Sequence, residues 1–268
     1  MEITEAKRIV VKVGTSTLTY ESGRLNLRRI EQLVKVLCDL QNSGKEIVLV
    51  SSGAIGVGMG KLGLSKRPTR TREKQALAAI GQCELMFIYD KLFGEYNHNV
   101  AQVLLTKFAV DTETKKQHVV NTMETLLEMG IIPIVNENDT CAVDELDGDK
   151  IGDNDRLSAI VAEIVNADLL VMLTDIDGLY TSNPKEDPNA QKLDVVDEIN
   201  DNIRTMAGGS GSNRGTGGMI TKIIAAEYAT SYGIECCIMN GEKPKRLYDL
   251  FDGKTIGTVF RSVKQADL

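Results

Sequence analysis

The chain has 268 residues, with 31 Lys and Arg against 38 Asp and Glu, so its formal net charge is −7. That balance excludes a protein that binds nucleic acid or anionic membrane through a general positive field. A chain of this length makes one or two domains and buries roughly 70 to 75% of its unfolded surface, so neither disulfides nor a structural metal are needed for stability.

Residues 1–8 carry Glu2 and Glu5 and run into a strand-like segment without the apolar stretch of a signal peptide, which points to a cytoplasmic protein. Ile9 to Val13 reads as that strand, apolar except at Lys12. Leu27, Ile30, Val34, Leu37 and Cys38 recur at helical spacing, Gly44 stops the helix, and Ile47 to Val50 reads as a buried strand. The same unit of helix, glycine and strand returns at Val119 to Leu127, Gly130 and Ile131 to Val135. It returns again at Ile223 to Ala229, Gly233 and Ile234 to Ile238, and at Leu247 to Phe251, Gly253 and Ile256 to Phe260. Val100 to Leu105 and Leu169 to Leu173 are strand-like without that lead-in. Apolar strands alternating with helices imply a sheet covered on both faces. The expected fold is therefore α/β, layered around a mainly parallel sheet. No apolar run approaches the ~20 residues of a membrane span.

Two polar stretches interrupt the pattern, an acid-rich one at 136–155 and another at 181–218. Without a Pro- or Ser-rich linker, the chain reads as one domain of two lobes that divide near residues 166–175. Cys38, Cys83, Cys141, Cys236 and Cys237 form an odd set without C-x-x-C spacing and read as buried, reduced thiols. His98 and His118 stand apart from other ligand types, so zinc sites and His-based triads have little to build on.

Four segments follow strands or open helices: Lys12 to Ser16, Ser51 to Gly56, Asn136 to Asp139, and Gly215 to Met219. In open α/β sheets ligands sit at the carboxyl ends of strands, where glycines and helix N-termini expose N–H groups that suit phosphate. A Walker A motif fails, because position 248, where its first glycine belongs, is Tyr. Gly58 to Gly63 matches G-x-G-x-x-G, yet begins well beyond its strand and lacks the following acid, since Glu73 and Glu84 read as helix positions. It supports a nicotinamide-dependent oxidoreductase only as an alternative.

A helix starting near Met219 places Lys222 in its first turn, with the side chain leaning back toward an anion at that end. Lys12, among apolar neighbours and just before Gly14, needs an anionic partner if it is buried. Most acids of 136–155 read as a solvated loop, with Asp153 or Asn154 capping the next helix, which carries Leu157, Ile160, Val161 and Ile164. Asp155 is better placed to orient nearby lysines than to cap. Two lysines, a glycine cradle and an acid suit phosphoryl transfer, and an ionised carboxylate acceptor needs no general base.

These segments, in fixed order, carry a resemblance. With Ile134 to Asp139, Gly152 to Asp155, Leu173 to Asp175, Gly178 to Tyr180, Gly215 to Met219 with Lys222, and Gly257 to Phe260, the chain resembles the glutamate 5-kinase family of the amino-acid kinase superfamily along nearly its whole length. The resemblance implies a three-layer α/β/α sandwich of the carbamate kinase-like type. It implies phosphorylation of the γ-carboxylate of L-glutamate by ATP with Mg²⁺, the first step of proline synthesis. By position, Lys12, Asp155 and Lys222 are the catalytic set, and Ser52, Gly53, Asp139 and Asn154 hold glutamate. Lys12, Thr174, Asp175 and the run Thr216, Gly217, Gly218, Met219, Ile220, Thr221 and Lys222 hold the nucleotide, with no protein residue assigned to the metal. The lobes become glutamate-binding, about 1–170, and nucleotide-binding, about 171–268. Also implied are a homo-oligomer, dimer or tetramer, inhibition by proline, and hand-off of product to glutamyl phosphate reductase, with neither nucleic acid nor membrane as partner. Many members carry a C-terminal PUA domain, for which the residues after Phe260 leave no room, so features that depend on it are not expected. A kinase of the same fold with another acceptor, and a non-catalytic nucleotide-binding regulator, are the further alternatives; Lys12, Asp155 and Lys222 argue against the regulator.

Overall fold

The structure, a computed structural model, describes residues 2–141, 154–184, 186–208 and 218–262. Its first half runs β1 (Arg8–Val13), α1 (Thr15–Leu18), α2 (Leu27–Asn42), β2 (Glu46–Ser51), α3 (Ala54–Leu62), α4 (Thr71–Gly94), β3 (Val100–Leu105), α5 (Glu113–Glu128) and β4 (Ile132–Glu137). The second runs α6 (Asn154–Ile164), β5 (Leu169–Thr174), β6 (Val195–Val196), α7 (Asp201–Gly208), α8 (Met219–Ser231), β7 (Glu235–Asn240), α9 (Arg246–Phe251) and β8 (Thr258–Phe260).

The strands form one sheet in the order β3-β4-β2-β1-β5-β7-β8-β6. Neighbours are parallel except β7 and β8, which pair antiparallel. β1 to β4 thus occupy one side and β5 to β8 the other, and chain order reverses at the β1–β5 junction, whose carboxyl edge is where open α/β sheets take their ligands.

Alternation along the strands splits the core in two. Ile9, Val11 and Val13 of β1 face one layer with Leu33 and Leu37 of α2, Leu85 and Phe93 of α4, and Leu247 of α9. Val10, Val48, Leu170 and Met172 face the other, with Val161 of α6 and Ile223 and Ala226 of α8. The central strands are therefore mainly apolar on both faces, as a covered parallel sheet requires. The glycines expected to stop helices do so with positive φ: Gly44 at 92°, Gly130 at 70°, Gly233 at 80° and Gly253 at 78°.

Three expectations are corrected. Gly58 and Gly60 lie inside α3, not in a phosphate loop, and their smallness serves packing. A Cβ on Gly58 would stand 2.1 Å from the Leu77 carbonyl oxygen, and one on Gly81 of α4 would stand 1.7 Å from that of Ala54, so the two helices cross backbone to backbone. The oxidoreductase alternative loses its motif. Cys38, Cys236 and Cys237 are buried, but Cys83 and Cys141 are exposed, α4 turning Cys83 outward. Burial pushes the Cys38 and Cys237 thiols up to about 12. The polar stretch 181–218 also holds β6 and α7; β6 is too short to show a sequence period and depends on pairing with β8.

At the amino edge of the sheet, Arg8 pairs with Glu46 at 2.6 Å and Glu124 at 2.7 Å and donates to the Val165 carbonyl at 2.5 Å. Asp168 accepts the Lys7 and Arg8 backbone N–H groups at 2.7 and 2.9 Å, tying the start of β5 to that of β1. Among the described residues, no helix is long and apolar enough to cross a membrane.

Candidate active site

Strand parity places Lys12 on the same sheet face as Val10, under α6 and α8. Asp155 sits in the first turn of α6 and Lys222 in the first turn of α8, two helices that pack side by side on that face. The side chains converge: Lys12 Nζ is 2.6 Å from Asp155 Oδ1, and Lys222 Nζ donates to Asp155 Oδ2 at 3.0 Å. All three are buried, with Asp155 at 0%, Lys12 at 6% and Lys222 at 7% relative exposure.

Burial alone would raise the Asp155 carboxyl. The ammonium groups of Lys12 and Lys222 outweigh it and hold the carboxyl down to about 2, so it is ionised at neutral pH. Thr221 brings its hydroxyl within 2.9 Å of Asp155 Oδ2 and 2.8 Å of the Gly218 carbonyl, with one proton to share between them. Lys12 Nζ curls over the turn after β1, reaching 3.7 Å from where a Cβ on Gly14 would stand. Two ammonium groups thus meet on the Asp155 carboxylate at the carboxyl edge of the sheet.

On the β2 and β4 side, Ser52 donates its N–H to the Val13 carbonyl at 3.0 Å, which seats the β2 loop beside the β1 loop. Gly53 follows with φ 102°, a left-handed turn that opens α3 and favours glycine. Asp139 lies in the turn after β4 and is half-buried. Asn154 opens α6, so it is a first-turn residue rather than the cap, and Asp153 falls outside the described residues. Asn154 Oδ1 is buried with no hydrogen-bond partner among the described residues.

On the β5 side, Thr174 ends its strand with its hydroxyl donating to Asp175 Oδ1 at 3.1 Å, and its carbonyl accepts from the Gly241 N–H at 2.7 Å. Gly218 precedes α8 in extended conformation, Met219 is buried, and Ile220 is exposed. Thr216 and Gly217 lie outside the described residues.

One acid departs from the solvated-loop expectation: Glu137 ends β4 and is buried, its N–H donating to Asn136 Oδ1 at 2.9 Å. Gln82 and Tyr89, unnoticed in the sequence, reach the ends of β4 and β2 from α4. The available signal was polar side chains on the otherwise apolar face of an amphipathic helix. Among the described residues no group of three or more His, Cys, Asp or Glu gathers to hold a metal.

Residues 7–240 match the model of the amino acid kinase family. The chain is 59% identical over 261 residues to the glutamate 5-kinase of Clostridium perfringens, covering 97% of each. It is 55% identical to that of Listeria monocytogenes, over 97% of this chain and 95% of the relative. In three dimensions it resembles UMP kinase from Bacillus anthracis, with TM-score 0.64, 16% identity and 98% of each chain covered. It also resembles isopentenyl phosphate kinase from T. acidophilum, with TM-score 0.60, 19% identity and coverage of 95% of this chain and 100% of that one. The two solved structures share the fold, a mainly parallel sheet between helical layers, and the sequence relatives narrow it: the chain belongs to the amino acid kinase family and, within it, to the glutamate 5-kinases.

Proposed function

We propose that the chain transfers the γ-phosphoryl group of ATP to the γ-carboxylate of L-glutamate, giving L-glutamyl 5-phosphate and ADP, the first step of proline synthesis. The observation that carries this reading is the buried Lys12, Asp155 and Lys222 trio at the point where chain order reverses. A carboxylate oxygen attacks the γ-phosphorus as the bond to the bridging oxygen of ADP breaks. With a pKa near 4.3 the acceptor is already ionised, so no side chain has to remove a proton. What the reaction needs is charge neutralisation and alignment.

Lys12 and Lys222 neutralise the phosphoryl group in flight, and Asp155 fixes both ammonium groups. Ser52, Gly53, Asp139 and Asn154 hold glutamate on the β1–β4 half, which makes residues up to about 170 the acceptor lobe. The buried Asn154 Oδ1 suits an N–H donor such as the α-ammonium group. Thr174, Asp175 and the run from Thr216 to Lys222 hold the nucleotide on the other half. Mg²⁺ brought in with ATP would add positive charge against the phosphate oxygens, beside Lys12 and Lys222. Assembly into a dimer or tetramer, inhibition by proline, hand-off to glutamyl phosphate reductase and a cytoplasmic setting belong to the same reading.

Trapping the acyl phosphate as its hydroxamate, with ATP, Mg²⁺ and either glutamate, N-acetylglutamate or aspartate, tests the proposal. Glutamate is the expected acceptor, and preference for another would overturn it.

A further inference from the structure

The face that α4 buries consists of Leu77, Ala78, Gly81, Gln82, Leu85, Tyr89 and Phe93. Gln82 and Tyr89 are its polar members, and their separation, 82 to 89, is about two helical turns along one side. Each meets the carboxyl end of a strand. Gln82 bonds to Asn136 near the end of β4, and Tyr89 bonds to Ser51, the last residue of β2.

The direction of these bonds follows from chemistry. The Glu137 N–H can only donate, and it donates to Asn136 Oδ1 at 2.9 Å. That turns Asn136 Nδ2 toward Gln82 Oε1, which accepts at 2.9 Å. Ser51 Oγ lies 3.3 Å from the Ser52 carbonyl and 2.9 Å from the Tyr89 hydroxyl; both hydroxyl protons are used when Ser51 donates to that carbonyl and Tyr89 donates to Ser51 Oγ. A leucine or phenylalanine on α4 would fill the same space with no polar group to satisfy, and packing gives no reason for either polar choice.

We infer that Gln82 and Tyr89 are positioning residues for the acceptor. They fix the Asn136 side chain and the Ser52 carbonyl, and so set the two loops, Ser52–Gly53 and Asn136–Asp139, between which the acceptor is held. The inference rests on the function proposed above. Both chains of bonds lie on the β2 and β4 side of β1 and include neither Lys12 nor the β5 loop, so their signature is in acceptor binding and not in nucleotide binding.

Steady-state kinetics test it. Gln82→Met keeps length and apolar volume and is expected to raise KM for glutamate roughly tenfold, with KM for ATP and kcat within about threefold. Tyr89→Phe leaves the Ser51 to Ser52 bond in place, and its expected rise in glutamate KM is roughly threefold. In an Asn136→Ala background, Gln82→Met should add less than about twofold, because its partner is already gone. If Gln82→Met does not fold, Gln82→Asn, a methylene too short to reach Asn136, takes its place with the same expected split. Equal shifts in both KM values, a fall in kcat alone, or an undiminished Gln82→Met effect without Asn136 overturns the inference. A wild-type protein that makes no acyl phosphate from glutamate overturns the functional reading instead.

Discussion

Strand β1 carries a cation near each end, Arg8 at the amino edge of the sheet and Lys12 at the carboxyl edge, and the surroundings treat them in opposite ways. Arg8 collects acceptors: Glu46, Glu124 and the Val165 carbonyl all converge on one guanidinium. Burial lowers its pKa, but the hydrogen bonds it donates to the Glu46 and Glu124 carboxylates more than offset that. Lys12 instead shares the carboxylate of Asp155 with a second cation, Lys222. Many acceptors around one cation make a clamp that joins β1, β2, α5 and the end of α6. Two cations on one buried carboxylate make a place whose polarity favours an arriving anion. The contrast also separates stability from chemistry, because the partly solvated clamp is worth little per pair, whereas breaking a buried pair leaves a charge in low dielectric.

Substitutions at the two edges should therefore part company. The largest effect is expected for Lys222→Ala, which should lower turnover by roughly a thousandfold or more in the hydroxamate assay. Asp155→Asn should cost about a hundredfold in kcat and, by removing the counter-charge of two buried ammonium groups, about 3 kcal/mol of unfolding free energy in urea. Near-wild-type turnover in either variant would remove the distinction drawn here.

Acid sharpens it further. The folded Asp155 pKa, about 2, lies below the ordinary value of 3.8, so its contribution to stability is fully present above that ordinary value. As pH falls from about 4 toward 2 that contribution is lost, and the stability gap between wild type and Asp155→Asn should close over the same interval. A gap that stays constant down to pH 2 would contradict the depressed pKa.

At the amino edge the readout inverts. Asp168→Ala leaves two backbone N–H groups without their acceptor and should cost about 2 kcal/mol of stability, with kcat and both KM values unchanged. Glu46→Ala, which loses a half-exposed pair, should cost at most about 1 kcal/mol and leave turnover alone. A drop in kcat from either would mean that the two edges are coupled.

Much of this is legible in the sequence. Lys12 declared itself because a cation in an apolar strand must find an anion, and Asp155 because it sits too far into its helix to cap it. The stop glycines gave the rhythm of the strands. Less legible was whatever depends on a partner distant in sequence. β6 is a strand only because Val259 and Phe260 lie beside it, and the antiparallel turn of β8 leaves no trace in a short apolar run. Glu137 looked like one more acid of a solvated stretch, yet pairing of β4 with β3 carries it into the sheet. Gln82 and Tyr89 read as ordinary residues of a long helix until the ends of β2 and β4 came within reach.

The crossing of α3 over α4 has a mechanical consequence. Gly58 and Gly81 bring main chain against main chain, leaving no layer of side chains between the helices. Side chains cushion small displacements by changing rotamer; a carbonyl resting on an α-carbon has no such reserve. The pair therefore shifts as one stiff body. Gly53, at the head of α3, inherits that stiffness, so a segment that looks like a loop is seated on the 24-residue helix α4.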